Sequence, residues 1–299
     1  MADRPDTRGE RTIGVIGLGL MGGAMARNLA AGGWRVIGYD IDPEASDRAR
    51  QKGVETVADA AAVAALAADI ITSLPSAEAA LLTAQQLAAA APRRVVLEMS
   101  TLSLDDKLAF AAQLERRGHV ALDCPLSGTG AQAETKDLVV YASGDPAEIA
   151  RLAPLFQGLG RASFDLGAYG NGTKMKFVAN LLVAIHNVAS AEAMVLGMKA
   201  GLAPQQIVEV IGAGAGTSRV FELRAPLMAE NRYLPASMRC STWQKDMQVI
   251  AAFAAQMGCP TPLFTATEPI YRSGLASGHG AQDTASVCAV LEAMAGVSR

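Results

Sequence analysis

The chain has 299 residues, enough for two domains or one large one with a substantial core. Hydrophobic residues make up 51% and charged residues 18%, which excludes a disordered chain and indicates a large interior or a subunit interface. The 26 Lys and Arg against 29 Asp and Glu leave a formal charge of -3, with no basic block to follow phosphates, so no nucleic-acid partner is expected.

Residues 1–11 are polar and mixed in charge, lack the apolar stretch of a signal peptide, and read as a flexible tail. From residue 12 to 168, short β-rich runs alternate with Ala-rich amphipathic stretches. TIGVI, RVIGYD, DIITSLP, RVVLEMS, HVALDCP and LVVYAS read as strands, with helical segments between the earlier ones. That rhythm predicts an α/β fold, a Rossmann-type doubly wound sheet. Strands are not expected after Gly167. Residues 169–299 read as an all-α domain, joined through a long central helix and broken at GLAP, GAGAG, NRYLPAS and GCPTP. The apolar run at 177–198 approaches membrane-spanning length, but Asn180, His186, Asn187, Ser190 and Glu192 interrupt it, so a core helix and no membrane partner are expected. Cys124, Cys240, Cys259 and Cys288 lack CxxC spacing, and His119, His186 and His279 stand apart. Neither a metal site nor a disulfide framework is indicated, and a reducing cytoplasm fits.

Three stretches carry chemistry. GLGLMG places Gly17, Gly19 and Gly22 directly after the strand TIGVI and at the opening of a helix. There Gly17 permits a tight turn, Gly19 lets backbone approach a pyrophosphate, Gly22 allows close packing, and the helix N-terminus offers donors to phosphate. Asp40, at the end of RVIGYD, is positioned to accept the ribose hydroxyls and to repel a 2'-phosphate, so NAD is favoured over NADP. Arg48 and Arg50 follow closely, but Asp40 and Asp42 disfavour a phosphate there. In the second stretch, HVALDCPLSGTG, a strand breaks into a Ser-Gly-Thr-Gly turn whose N-H groups and Ser127 hydroxyl suit an anion; the same residues also suit an ordinary solvent loop.

The third stretch is NGTKMKFVAN. On a helix from residue 172, Lys176 and Asn180 share one face, and Thr173 and Asn187 extend the stripe. Lys174 points elsewhere, towards Val178 and Leu181, and is expected to lie over apolar surface. The positive helix end and the neighbouring Lys174 both act to lower the pKa of Lys176, suiting it to exchange a proton with a hydroxyl or carbonyl. Two ordinary surface lysines at a helix start are the competing reading. Position favours the first, because this helix begins where the nucleotide domain ends.

Together these residues resemble the β-hydroxyacid dehydrogenase family, over nearly everything from residue 12 to about 291. GLGLMGGAMARNLAAGG is similar to its N-terminal signature, SLPS to its cofactor loop, EMST to its nicotinamide-side segment, DCPLSGTG to its substrate signature, GAYGNGTKMKFVAN to its catalytic signature, and QKDM to its C-terminal Lys-Asp pair. The resemblance implies Lys176 as catalytic acid/base with Asn180 beside it. Gly17, Leu18, Gly19, Met21, Gly22, Asp40, Leu74, Pro75, Thr101 and Lys245 would line the cofactor site. Ser127, Gly128 and Thr129 would grip a substrate carboxylate, and Asp246 would orient its neighbours.

Thr129 stands where a second Gly is usual, Gln132 replaces another Gly, Lys136-Asp137 replaces Gly-Thr, and Ala179 replaces an Asn. These departures put substrate identity in question rather than hydride chemistry. The expected activity is oxidation of a small 3-hydroxy acid, or reduction of its semialdehyde or keto acid, with NAD(P), by a homodimer or homotetramer. An imine reductase of the same architecture and a catalytically silent NAD-binding sensor are the alternatives, and the Lys176-Asn180 pair argues against both.

Overall fold

The computed structural model describes residues 11–89 and 93–299; the expected tail, apart from Arg11, lies outside them. The chain divides into two compact units, the first ending at Lys176 and the second running Phe177–Arg299. The divide falls inside a long helix, whereas the sequence reading drew the limit between residues 168 and 169.

In the first unit, β1 (Thr12–Ile16), β2 (Arg35–Tyr39), β3 (Glu55–Thr56), β4 (Asp69–Thr72), β5 (Val95–Glu98) and β6 (Val120–Asp123) form a six-stranded sheet in the order β3-β2-β1-β4-β5-β6. Every pairing in it is parallel. Between the strands lie α1 (Leu20–Ala31), α2 (Pro43–Arg50), α3 (Ala60–Leu66), α4 (Ala77–Ala88) and α5 (Leu104–Glu115). Helices on both faces bury the sheet, which is why its strands read as near-continuous apolar runs such as VVLE, buried throughout. Asp42, Asp59, Ser76 and Ser103 start α2 to α5 by accepting a backbone N-H two or three residues on.

The remaining strands depart from the single expected sheet. After β6 come β7 (Leu126–Ser127), α6 (Gly130–Glu134), β8 (Val139–Ala142), α7 (Pro146–Arg151), α8 (Ala153–Leu159) and β9 (Ala162–Asp165). LVVYAS is β8, but it lies at the centre of a separate sheet, antiparallel to β7 and parallel to β9. Pro125 ends the β6 run, and β7, which follows it directly, is the antiparallel partner of β8. Three strands escaped the reading for physical reasons: β3 and β7 have two residues each, and β9 is largely exposed and shows no apolar alternation.

Helix α9 (Asn171–Lys199) carries the chain into the second unit, which adds α10 (Pro204–Gly212), α11 (Arg219–Ala229), α12 (Cys240–Gln256), α13 (Pro262–Ala276) and α14 (Val287–Ala295). Phe177, Ala184, Val188 and Met194 of α9 pack with Phe221, Trp243 and Tyr271 in its core. By length and composition alone α9 could cross a membrane. Its buried Asn187, however, donates to the Tyr271 hydroxyl and the Thr284 carbonyl, both at 2.9 Å. Such bonds suit a core helix, because they satisfy an amide nitrogen that lipid would strand.

Candidate functional site

The glycine loop occupies the carboxyl end of β1, where the strand order reverses and ligands of open α/β sheets bind. Gly17 has φ +89, and a Cβ there would come within 2.1 Å of the Ser73 carbonyl, so only glycine fits the turn. A Cβ on Gly22 would meet the Gly17 carbonyl at 1.8 Å; this glycine packs α1 against the loop itself. Gly19 faces open space, as a backbone approached by phosphate requires. Leu18 is buried, Met21 is half-buried, and the Leu18 N-H donates to Asp40 Oδ2 at 2.6 Å. The other oxygen of Asp40 accepts the Asp42 N-H at 2.8 Å, so the acid ties β2 to the loop while each oxygen retains a lone pair.

Arg48 lines a cleft with Leu18, Gly19, Gly23, Ala45 and Ala49. Its guanidinium pairs with Asp42 at 3.5 Å and Glu44 at 3.4 Å, and Arg50 pairs with Asp47 and donates to Thr56. Both arginines near Asp40 therefore already face acceptors. Along the same sheet edge, the Leu74 N-H donates to Ser100 Oγ at 2.7 Å, joining the Leu74-Pro75 loop after β4 to the Ser100-Thr101 segment after β5.

The Ser127-Gly128-Thr129 turn leaves β7 half-buried, and Gly128 has φ +136. Thr129, which a positive φ would have strained, has φ -116 and is extended. The departures from the family pattern interlock: the Gln132 side-chain oxygen accepts the Thr129 N-H at 3.1 Å, and its amide donates to Asp137 Oδ2 at 3.2 Å. Lys136, by contrast, sits at φ 57, the left-handed region in which the family's usual glycine is at ease.

On α9, the stripe Thr173, Lys176, Asn180 and Asn187 is buried at every position, from 1% to 7% exposed. Lys176 and Asn180 stand one turn apart on the same face. Asn180 Nδ2 donates to Asp246 Oδ2 at 3.1 Å, linking α9 to α12 within the second unit. Lys245, next to that acid, is half-buried. Lys174 was expected to lie over the apolar surface of Val178 and Leu181; it is exposed, its Nζ turns back to donate to Asn171 Oδ1 at 3.2 Å, and Val178 is 55% exposed.

One cluster the sequence reading missed lies at the carboxyl ends of β5 and β6. Glu98 and Asp123 end adjacent parallel strands in direct register, and Lys107 of α5 reaches between them; all three are 0% exposed. Lys107 Nζ contacts Glu98 Oε2, Asp123 Oδ1 at 3.0 Å and the Glu98 carbonyl at 3.1 Å. Burial alone would discharge the ammonium, but the two carboxylates outweigh it and hold its pKa above the ordinary lysine value. Asp123 also accepts the Thr173 N-H at 2.7 Å and the Thr173 hydroxyl at 2.8 Å. The sequence shows only two apolar strands that each end on an acid; that the acids stand side by side and need a shared cation follows from strand register.

Residues 12–170 match the family model described as the NAD binding domain of 6-phosphogluconate dehydrogenase, and residues 170–291 the model described as NAD-binding of NADP-dependent 3-hydroxyisobutyrate dehydrogenase. L-threonate dehydrogenase of Cupriavidus necator is 33% identical, with 93% of this chain and 95% of the relative covered. 2-(Hydroxymethyl)glutarate dehydrogenase of Eubacterium barkeri is 29% identical over 96% of each chain. Among solved structures, the 3-hydroxyisobutyrate dehydrogenase of Mycobacterium tuberculosis with L-serine superposes with a TM-score of 0.85 at 29% identity, covering 95% of this chain and 99% of that one.

Proposed function

Given that this chain belongs to the β-hydroxyacid dehydrogenase family, enzymes that transfer hydride between a nicotinamide cofactor and a CH-OH group, we propose that it interconverts a small 3-hydroxy acid and its semialdehyde or keto acid, with NAD preferred and Lys176 as general acid/base. The observation that carries this reading is the buried stripe of α9. Lys176 stands one turn from Asn180, which Asp246 holds at 3.1 Å.

Gly17, Leu18, Gly19, Met21 and Gly22 would cradle the pyrophosphate, and Leu74, Pro75, Thr101 and Lys245 would complete the cofactor site. Bound there, the dinucleotide supplies the hydride acceptor. Asp40 would take the ribose hydroxyls, and its charge disfavours a 2'-phosphate. Arg48 and Arg50 are engaged with Asp42, Glu44 and Asp47, which supports NAD over NADP. Ser127, Gly128 and Thr129 would hold the substrate carboxylate while Lys176 takes the hydroxyl proton. Asp246 would orient Asn180 beside it.

The apolar stripe Met175, Val178 and Leu182 on α9, 42% to 55% exposed, supports a homodimer or homotetramer. Four free cysteines suit a reducing cytoplasm.

Initial rates with L-threonate, 3-hydroxyisobutyrate and 2-(hydroxymethyl)glutarate, read by nicotinamide absorbance with NAD and with NADP, test the reading. Lys176→Ala should lower kcat by about 10²- to 10⁴-fold while NAD still binds. A variant that keeps most of its kcat overturns the role of Lys176, and faster turnover with NADP overturns the cofactor preference.

A further inference from the structure

Among the groups left unused above, the buried Glu98-Lys107-Asp123 cluster is tied to the most parts of the proposed site. Glu98 Oε1 accepts the Ser100 N-H at 3.0 Å, and Ser100 Oγ in turn receives the Leu74 N-H of the proposed cofactor loop. Asp123 ends β6 four residues before Ser127. Its carboxylate receives both donors of Thr173, three residues before Lys176. Ser143 closes the arrangement: its hydroxyl donates to Asp123 and accepts the Gly172 N-H at 3.0 Å. The Tyr169 hydroxyl donates to the Lys107 carbonyl at 3.0 Å, so the residues leading into α9 are bound to α5 as well.

Charge and helix geometry give this arrangement a direction. The first N-H groups of a 29-residue helix lack intrahelical partners and carry the positive end of its dipole. Asp123 supplies the anion there. An aspartate in register beside Glu98 with no exposure to water needs a cation. The Lys107 ammonium meets that need, 3.0 Å from Asp123 Oδ1, and the same carboxylate is aimed at the start of α9.

The geometry points to Lys107 as a positioning residue for the proposed reaction: by supplying the cation that pairs with Asp123 where Asp123 holds Thr173, it fixes the first turn of α9 and with it the attitude of Lys176. The inference rests on the proposed role of Lys176. Its structural part stands on bonds within the first unit.

Two readouts that need no substrate test it on the full chain. Hydrogen exchange follows the amides at residues 171–176, and competitive acetylation with acetic anhydride, resolved by peptide mass spectrometry, compares Lys176 with exposed Lys174. In folded Lys107→Met, exchange at the start of α9 should accelerate by about ten-fold or more, the size expected when a hydrogen bond to a charged acceptor is lost. The labelling ratio of Lys176 to Lys174 should change as well, whereas exchange in β1 and NAD affinity, measured by calorimetry, should stay at wild-type values. The paired change Lys107→Met with Glu98→Gln removes one cation and one anion together, and should restore both readouts towards wild type.

A folded Lys107→Met with unchanged exchange and labelling overturns the proposal and leaves the cluster a core ion pair. So does failure of the paired variant to restore either readout. If Lys107→Met does not fold, Asp123→Asn, which keeps the shape and removes the charge, carries the same expectation and the same refutation. Absence of turnover by wild type with every hydroxy acid would remove the functional reading without touching the α9 result. Normal turnover with an undisturbed α9 would remove only this inference.

Discussion

Each unit of the molecule buries an ionic cluster, and the two are built differently. In the second unit Arg224 meets Asp283 through Nη1, at 2.8 Å and 2.9 Å to the two oxygens, and the same nitrogen donates to Ser237 Oγ at 2.7 Å. Asp283 also accepts N-H groups from Ser237, Met238 and Ala285, so one acid and one base fasten α11 to the segments around them. In the first unit a single lysine serves two carboxyl groups. The balanced pair closes on itself, whereas the second acid of the unbalanced cluster is directed at a helix start. Burying charge is costly in both places, and fastening alone would be achieved as well by apolar packing. The odd carboxylate is what apolar side chains could not supply.

Disrupting the balanced pair gives the largest expected change in stability. Arg224→Met strands Asp283 in the core and should cost about 3 to 5 kcal/mol in urea unfolding. Exchange at residues 171–176 should keep its rank against β1, and a selective acceleration there would show that the two clusters are not functionally distinct. A smaller effect sharpens the contrast from the other side. Thr173→Val removes the hydroxyl donor to Asp123 and keeps the backbone one, so about 1.5 kcal/mol of stability should be lost, with faster exchange confined to the start of α9.

The smallest effect comes from a charged network whose arginines reach water. Glu148 sits between Arg93 and Arg151, both half-exposed or nearly so. Burial would raise its pKa, but the arginine hydrogen bonds outweigh that and hold it below the usual glutamate value. A lowered folded-state pKa means the stabilisation is present above the unfolded value of about 4.3 and disappears as pH falls through the folded one. Glu148→Gln should therefore cost less than about 1 kcal/mol at pH 7, and nothing once both states are protonated. Equal loss at acid and neutral pH would refute the electrostatic account.

Much of the first unit was legible in its residues. A glycine turn after TIGVI, with an acid at the end of the next strand, announces the loop at β1 because only glycine tolerates a φ of +89 against the Ser73 carbonyl. The 3.6-residue period put Thr173, Lys176, Asn180 and Asn187 on one face, and all four are buried. Lys174 shares its face with Val178 and Leu181, yet its Nζ turns back to Asn171, because periodicity reports which residues share a face and not which way a side chain runs along it. The short strands β3 and β7 were missed because two residues carry no period.

Local pattern thus determined the nucleotide-binding unit, the helical second unit, the stripe on α9 and the family, since each depends on neighbours within a turn or a strand. Three things required the folded chain: the separate sheet around β8, the interlock of Gln132 with Thr129 and Asp137, and the Glu98-Lys107-Asp123 cluster. Strand partnership and charge pairing join residues far apart along the chain, and their energies arise only when parallel strands come into register and water is expelled. Asp123 reads in the sequence as a residue before a turn; at 2.7 Å from the Thr173 nitrogen, it is the anion on which α9 begins.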